Sequence, residues 1–106
     1  LTEPLTAEEV SSGYVRNTGA VIVRRFRAEN LDPVAVPGVL VAGHAPFVWG
    51  QNATDAVEHA DVLEYIARLA FRSVLLNPGV ADLPNHVRDH HYQRKHGPKA
   101  TYGQKR

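Results

Sequence analysis

The stretch GVLVAGHAPFVWG, residues 38–50, decides the fold that the sequence predicts. Its first part, GVLVA at 38–42, is rich in valine and leucine and predicts a short strand, and PFVW at 46–49 predicts a second strand. Gly43 and His44 fall at the bend between them. The stretch therefore predicts a hairpin that holds one imidazole at the end of a stiff element.

His44 stands out because the residues around it are nonpolar and leave its side chain little rotational freedom. Such a setting favours the neutral ring, which can donate a lone pair to a metal ion. The residues alone leave two interpretations open, a core histidine that is hydrogen-bonded to the backbone and a metal ligand. A zinc site needs about three protein ligands, and the local sequence places only this one well.

A helix is predicted before the hairpin. Thr6 followed by Glu9 has the pattern of a capping box, which predicts a helix from Ala7. Apolar residues then recur at nearly helical spacing, although two glycines and the β-branched stretch AVIV at 20–23 make a strand from residue 20 onward an alternative. We prefer a helix to about Glu29, followed by a proline-containing connector.

Two further helices are predicted after the hairpin. Asn52 with Asp55 resembles a second cap, and the alanine-rich stripe behind it predicts a long amphipathic helix that ends at LNPG, residues 76–79. Its wide apolar face should be covered on more than one side. Pro84 predicts a last helix to about Lys95. The order helix, strand pair, helix, helix predicts a mixed α/β fold with too few strands for a complete sheet.

The composition is that of an ordinary globular protein of one domain. Of the 106 residues 43% are hydrophobic and 22% charged, with a net charge of +1. We expect neither a membrane span nor a secretion signal, since no apolar run is long enough and the amino end is acidic. The absence of cysteine excludes disulfides, thiolate metal sites and a cysteine nucleophile. It also suits a reducing compartment, so the cytoplasm is the expected location.

The chain contains no methionine and begins with Leu1, which is too bulky to be commonly exposed by removal of an initiator methionine. We therefore expect a piece of a longer protein. Its charge is uneven, because residues 1–87 hold six basic and ten acidic residues whereas 88–106 hold six and one. A basic tail of this kind can attract phosphate groups, nucleic acid or an acidic protein surface.

Other candidate residues give weaker signals. The chain has six histidines, and His86 and His90 are spaced to share one helical face, as a metal-binding pair or as a solvated surface. Tyr102 in the tail could be a proton donor or a docking aromatic residue. The segment RDHHYQRKHGPK at 88–99 could bind phosphate groups, but no RNA- or DNA-binding motif accompanies it.

Four segments in a fixed order carry a family resemblance: PGVLV, HAPFVWG, NATDAV and HYQRKHGPKATYGQ. Together they resemble the carboxyl-terminal half of the epimerases in the class II sugar-phosphate aldolase family, and the likeness spans nearly the whole chain. The resemblance implies an α/β fold of three layers, with a central, mainly antiparallel sheet flanked by helices. Residues 1–106 would form the carboxyl-terminal part of that single domain.

The resemblance also assigns roles to individual residues. His44 would be the third ligand of a catalytic zinc whose other two ligands, an HxH pair, do not occur in this chain. Tyr102 would be an acid/base group delivered to the site of a neighbouring subunit. His91 would lie near the substrate, with Arg94 as a possible charge partner in substrate binding. Ala42 departs from the polar or histidine residue common in the family, which puts some of the surroundings of the ligand in doubt.

The function implied by the resemblance is the reversible inversion of L-ribulose 5-phosphate at C4, giving D-xylulose 5-phosphate in arabinose catabolism. The C3–C4 bond would break and re-form, with Zn²⁺ or another divalent metal as Lewis acid. The enzyme would be a cyclic homotetramer with sites between subunits and without nucleic-acid or membrane partners, and this chain alone should be inactive. The alternatives are a class II aldolase of the fuculose or rhamnulose 1-phosphate type and a non-catalytic, basic, histidine-rich binding module.

Overall fold

A computed structural model describes residues 1–101 of the chain. Within them the elements are α1 Ala7–Ala28, β1 Gly38–Val39, β2 Phe47–Val48, α2 Ala53–Leu76 and α3 Asn85–His96. This order confirms the predicted mixed α/β piece with a single pair of strands. The chain divides into two compact units, Leu1–Ala70 and the chain from Phe71 onward. None of the helices in this described part combines the length and apolar character needed to cross a bilayer.

Helix α1 begins where its cap predicts. The hydroxyl oxygen of Thr6 accepts a hydrogen bond from the Glu9 backbone N–H at 3.1 Å, and the Glu9 carboxylate accepts one from the Thr6 N–H at 2.9 Å. The alternative of a strand from residue 20 onward is wrong, because these residues continue the helix to Ala28. The helix buries Val21 and Phe26, and this burial outweighs the β propensity of the valines.

A break at Gly13 divides α1 into residues 7–12 and 14–28. Gly13 has φ 156° and ψ 74°, a conformation that glycine adopts without the strain a Cβ would cause. The side chain of Asn17 bridges the break, since its Nδ2 donates to the Glu9 carbonyl at 2.5 Å and to the Ser12 hydroxyl at 3.2 Å. The helical spacing of the sequence predicted the helix but not this interruption.

The core joins α1 to the hairpin. Its buried apolar residues are Val21, Phe26, Val39 and Val41, with Leu5, Ile22, Leu31 and Trp49 packed against them. The Trp49 ring lies 5.5 Å from that of Phe26, and its Nε1 donates to the Pro33 carbonyl at 2.8 Å. Trp49 therefore fastens the end of the hairpin to both the core and the connector.

The two strands are shorter than predicted. They pair antiparallel, Gly38 with Val48 and Val39 with Phe47, whereas the sequence predicted strands over 38–42 and 46–49. The chain beyond Val39 is held by the amino-terminal segment instead of β2. The Thr2 N–H donates to the Leu40 carbonyl at 2.9 Å, and the buried Thr2 hydroxyl accepts from the Ala42 N–H at 3.1 Å.

Helix α2 has the predicted cap and ends at the predicted LNPG. The Asn52 Oδ1 accepts from the Asp55 N–H at 3.0 Å. The expectation that α2 is covered on more than one side is wrong for this chain, because none of its residues is buried. A pair of two-residue strands has too little surface to cover a helix of 24 residues. Large apolar side chains therefore stay exposed on α2, among them Val57, Val62, Tyr65, Ile66 and Leu69.

Helix α3 is confirmed to within a residue of its predicted end. Pro84 occupies the position before its first residue, and the Gly97 N–H closes its last turn by donating to the Gln93 carbonyl at 2.9 Å. Near this end the rings of Tyr92 and His96 stack at 4.8 Å. No residue of α3 is buried, so the helix is held by local bonds and not by a core.

Candidate functional site

His44 lies on a tight turn between the two strands. Its N–H donates to the Val41 carbonyl at 3.0 Å, and Gly43, the third residue of the turn, has φ 71°. A positive φ at this position is the feature of a type II turn that favours glycine. The bend predicted at Gly43 and His44 is therefore confirmed, and it presents the imidazole at the surface.

The imidazole is exposed, so the interpretation of His44 as a core histidine is wrong as to burial, whereas the backbone hydrogen bond that this interpretation included is present. Its Nδ1 lies 3.0 Å from the Ala45 carbonyl oxygen. Because a carbonyl can only accept a hydrogen bond, Nδ1 carries the proton. In the neutral ring Nε2 then holds the free lone pair, and it makes no hydrogen bond to any residue within 1–101.

Two aromatic rings contact the imidazole. Phe47, on β2, stacks with it at 5.1 Å between ring centroids and 24° between ring planes. Tyr14, on α1, lies at 6.3 Å with a tilt of 39°. These distances fall within the range of favourable ring pairs. The nonpolar setting predicted for His44 thus consists of contacts with two aromatic rings, and these contacts lie at the surface of the protein.

This arrangement gives His44 the features of a metal ligand. Ligating histidines commonly donate their second ring N–H to a carbonyl or carboxylate, which fixes the tautomer and the direction of the ring. Here His44 Nδ1 donates to the Ala45 carbonyl, which fixes the tautomer. No three histidine, aspartate or glutamate side chains converge as a metal-binding group in residues 1–101. A metal ion on His44 would therefore need further ligands from outside these residues.

The other predicted site residues belong to the second unit or lie beyond the described chain. His91 and Arg94 are both exposed on α3, and their spacing places them near each other on the helix surface. The ring of His91 meets that of His90 edge-on at 6.3 Å. Tyr102 lies outside the described residues.

The weaker histidine pair keeps both of its interpretations. His86 and His90 are exposed on α3 with the predicted spacing. The part of the chain that the structure describes brings no third ligand to them. An exposed helix face without a third ligand is the ordinary setting of solvated histidines.

Three residues that contact or anchor the hairpin were not predicted from the sequence. Thr2 holds the chain before the turn, and Tyr14 contacts the imidazole. His59 holds α2 to the hairpin, since its Nδ1 donates to the Trp49 carbonyl at 2.6 Å. All three act across long stretches of sequence, so spacing carries no signal for them.

Two surface grooves of Leu1–Ala70 do not include His44. One groove of about 460 Å³ is lined by the end of α1, the connector and Trp49. Another, of about 170 Å³, lies where α2 meets the hairpin. Neither groove contains a residue predicted for the site.

Comparisons with known proteins give two findings. Residues 4–71 match the family model described as the class II aldolase and adducin N-terminal domain. Among curated proteins, the chain is 42% identical over 104 residues to the L-ribulose-5-phosphate 4-epimerase UlaF of Salmonella paratyphi A (strain ATCC 9150 / SARB42) and to that of Salmonella typhi. It is 41% identical over 104 residues to that of Salmonella paratyphi B (strain ATCC BAA-1250 / SPB7).

These matches cover 98% of this chain but 45% of each relative. The chain therefore spans about half the length of the curated relatives it matches.

Proposed function

The chain belongs to the class II aldolase family, and from this premise we propose that it is part of a metal-dependent L-ribulose-5-phosphate 4-epimerase. The enzyme interconverts L-ribulose 5-phosphate and D-xylulose 5-phosphate. The identity to proteins of that name over 98% of the chain supports this substrate. The observation that carries the proposal is the state of the His44 imidazole on its turn. Its Nδ1 is hydrogen-bonded to the Ala45 carbonyl, and its Nε2 remains available to a metal ion.

The donor chemistry of His44 fits a divalent metal ion such as Zn²⁺. Neutral imidazole is the commonest protein ligand for zinc, and His44 offers one nitrogen in a fixed tautomer. Two further ligands come from sequence outside this chain. When bound, the metal supplies Lewis acidity that polarises the substrate carbonyl.

The reaction at C4 requires the C3–C4 bond to break, because the hydrogen on C4 is not acidic. The electron pair of that bond stays with the C1–C3 fragment, and C4 becomes the aldehyde carbon of glycolaldehyde phosphate. After the aldehyde turns its other face, the electron pair forms the bond again. Cleavage removes the proton of the C4 hydroxyl, and recondensation returns a proton to the C4 oxygen. Tyr102 exchanges this proton on one face of the aldehyde, and an acidic residue outside this chain exchanges it on the other face.

His91 and Arg94 contribute to substrate binding. They are exposed on one helix, and a guanidinium and an imidazole can both donate hydrogen bonds to phosphate or hydroxyl oxygens. The basic composition of residues 88–106 supports a role next to an anionic substrate.

The intact enzyme is a cytoplasmic homotetramer that takes part in arabinose catabolism. Its sites lie between subunits, and Tyr102 serves the site of a neighbour. This chain is the carboxyl-terminal part of a single three-layer domain. Additional strands would cover the face of α2 that these residues leave exposed, since a sheet normally contains more than two strands. The piece alone, with one metal ligand, is inactive.

Product analysis of the full-length protein tests this function. Incubation with L-ribulose 5-phosphate should yield D-xylulose 5-phosphate, seen by NMR, and removal of the metal with a chelator should stop the reaction. A Tyr102→Phe variant should keep its zinc and lose turnover. Dihydroxyacetone phosphate released from fuculose or rhamnulose 1-phosphate, without epimerisation, would identify an aldolase instead. The absence of any reaction with zinc bound would favour a binding module.

A further inference from the structure

Tyr14 is the contact to the His44 imidazole that comes from a different element. The bond to Ala45 and the stacking on Phe47 both arise within the segment that follows the turn. Tyr14 instead reaches the ring from α1, at 6.3 Å between centroids. The contact therefore ties the orientation of the imidazole to the first helix.

The position of Tyr14 is itself fixed by the break in α1. Gly13, the residue before it, has the non-helical φ of 156°, which redirects the chain at this point. The buried hydroxyl of Thr18 donates to the Tyr14 carbonyl at 2.8 Å, and Asn17 bridges the break. The break thus combines a glycine with hydrogen bonds from two side chains, those of Asn17 and Thr18, around one exposed aromatic residue.

The Tyr14 side chain is 45% exposed, so its contact with His44 lies at the surface and not in the core. An exposed histidine on a turn would otherwise populate several rotamers, and binding a metal would then require the loss of that freedom. A ring that restricts the imidazole before the metal arrives lowers this cost. The carbonyl of Ala45 sets the tautomer, and Phe47 stacks on the ring from the same segment. Tyr14 adds a restraint from a separate element.

We propose that Tyr14 is a positioning residue for His44, and that its aromatic ring keeps Nε2 in the direction required for metal binding. The proposal rests on the metal role of His44 given above. It assigns the effect to the ring and not to the phenolic hydroxyl, since the observed contact is between rings. The Gly13 break is what places that ring beside the turn.

The test measures zinc affinity in the full-length protein by competition with a chromophoric chelator. Tyr14→Ala should weaken zinc binding about 10-fold, the lower end of the range for residues that orient a metal ligand. Tyr14→Phe keeps the ring and should bind as tightly as the wild type. Tyr65→Ala, which removes a tyrosine of α2 whose ring is not in contact with that of His44, is the matched control and should bind zinc as tightly as the wild type.

Three results separate this inference from the proposed function. If His44→Ala abolishes zinc binding while Tyr14→Ala binds normally, the metal role stands and the role of Tyr14 is wrong. If Tyr14→Phe loses as much affinity as Tyr14→Ala, the hydroxyl is responsible and the inference is also overturned. If His44→Ala itself binds zinc normally, the proposed function fails.

A second measurement does not depend on metal or on the alanine variant. In metal-free protein, NMR couplings across χ1 of His44 should report one rotamer in the wild type. In Tyr14→Leu, which retains apolar bulk but has no ring, they should show averaging among rotamers. Couplings that are unchanged in Tyr14→Leu would contradict the inference.

Discussion

The His44 turn and helix α3 both carry residues that the family resemblance assigns to the site, yet only the turn is supported by buried side chains. Val39 and Val41, before the turn, are buried with Val21 and Phe26 of α1. Helix α3 buries none of its residues. The difference teaches that this chain itself supplies the packing that supports the His44 turn, whereas for its basic segment it supplies only the local hydrogen bonds of a helix.

The largest expected difference between the two units concerns phenylalanine. Phe26 is 9% exposed and Phe71 is 66% exposed. In the 106-residue chain, Phe26→Ala should lower the free energy of unfolding by about 3–5 kcal/mol, since it leaves a cavity in a small core. Phe71→Ala should change it by less than about 0.5 kcal/mol. Denaturant unfolding followed by the fluorescence of Trp49 measures both. Equal losses of unfolding free energy in the two variants would contradict the proposed difference between the units.

The next effect distinguishes two glycines of α1. Gly13→Ala should destabilise the chain by about 1–3 kcal/mol, because alanine is strained at φ 156°. Gly19 lies within regular helix, and a Cβ there would meet nothing within 4 Å. Gly19→Ala should therefore stabilise by about 0.5–1 kcal/mol. Thermal unfolding by circular dichroism gives both values, and stabilisation by Gly13→Ala would show that the break is not required.

The smallest effect is a pH dependence in the first unit. Hydrogen bonding to the Thr6 backbone, with help from Arg24, lowers the pKa of Glu9 below its ordinary value of 4.5. The folded-state pKa is thus below the unfolded one. The contribution of Glu9 is fully present above pH 4.5 and is lost as the pH falls through the folded value.

The melting temperature of the wild type should accordingly fall more steeply than that of Glu9→Gln on acidification. The difference should be modest and should shrink with added salt, since the pair with Arg24 is partly exposed. Parallel curves for the two proteins would show that the capping box contributes no pH dependence.

Much of the fold could be predicted because its signals are local. Thr6 with Glu9, Asn52 with Asp55 and the proline at position 84 each act within one helical turn, so their spacing in the sequence is their spacing in the structure. The strand ends could not be predicted in this way. Thr2 forms hydrogen bonds with the chain at Leu40 and Ala42. Because these partners are far apart in the sequence, no periodic pattern predicts their pairing.

The features of the candidate site likewise divide into those with a local sequence signal and those that depend on the folded structure. The bend at Gly43 and the unusual setting of His44 followed from the sequence. The exposure of the imidazole follows from its place on the turn, and its tautomer follows from the bond to Ala45. The contact with Tyr14 had no sequence signal beyond a neighbouring glycine. The role of Tyr102 follows from the resemblance alone, because no physical pattern around it distinguishes a proton donor from a docking residue.

The zinc content of His44→Ala tests the central claim, that the turn presents this imidazole to a metal ion. The variant should be made in the full-length protein beside His86→Ala, which removes an exposed histidine of α3, and both should be analysed by elemental analysis after exhaustive dialysis. The account predicts that His44→Ala is depleted of zinc and His86→Ala retains the wild-type amount. A folded His44→Ala protein with its full complement of zinc would contradict it.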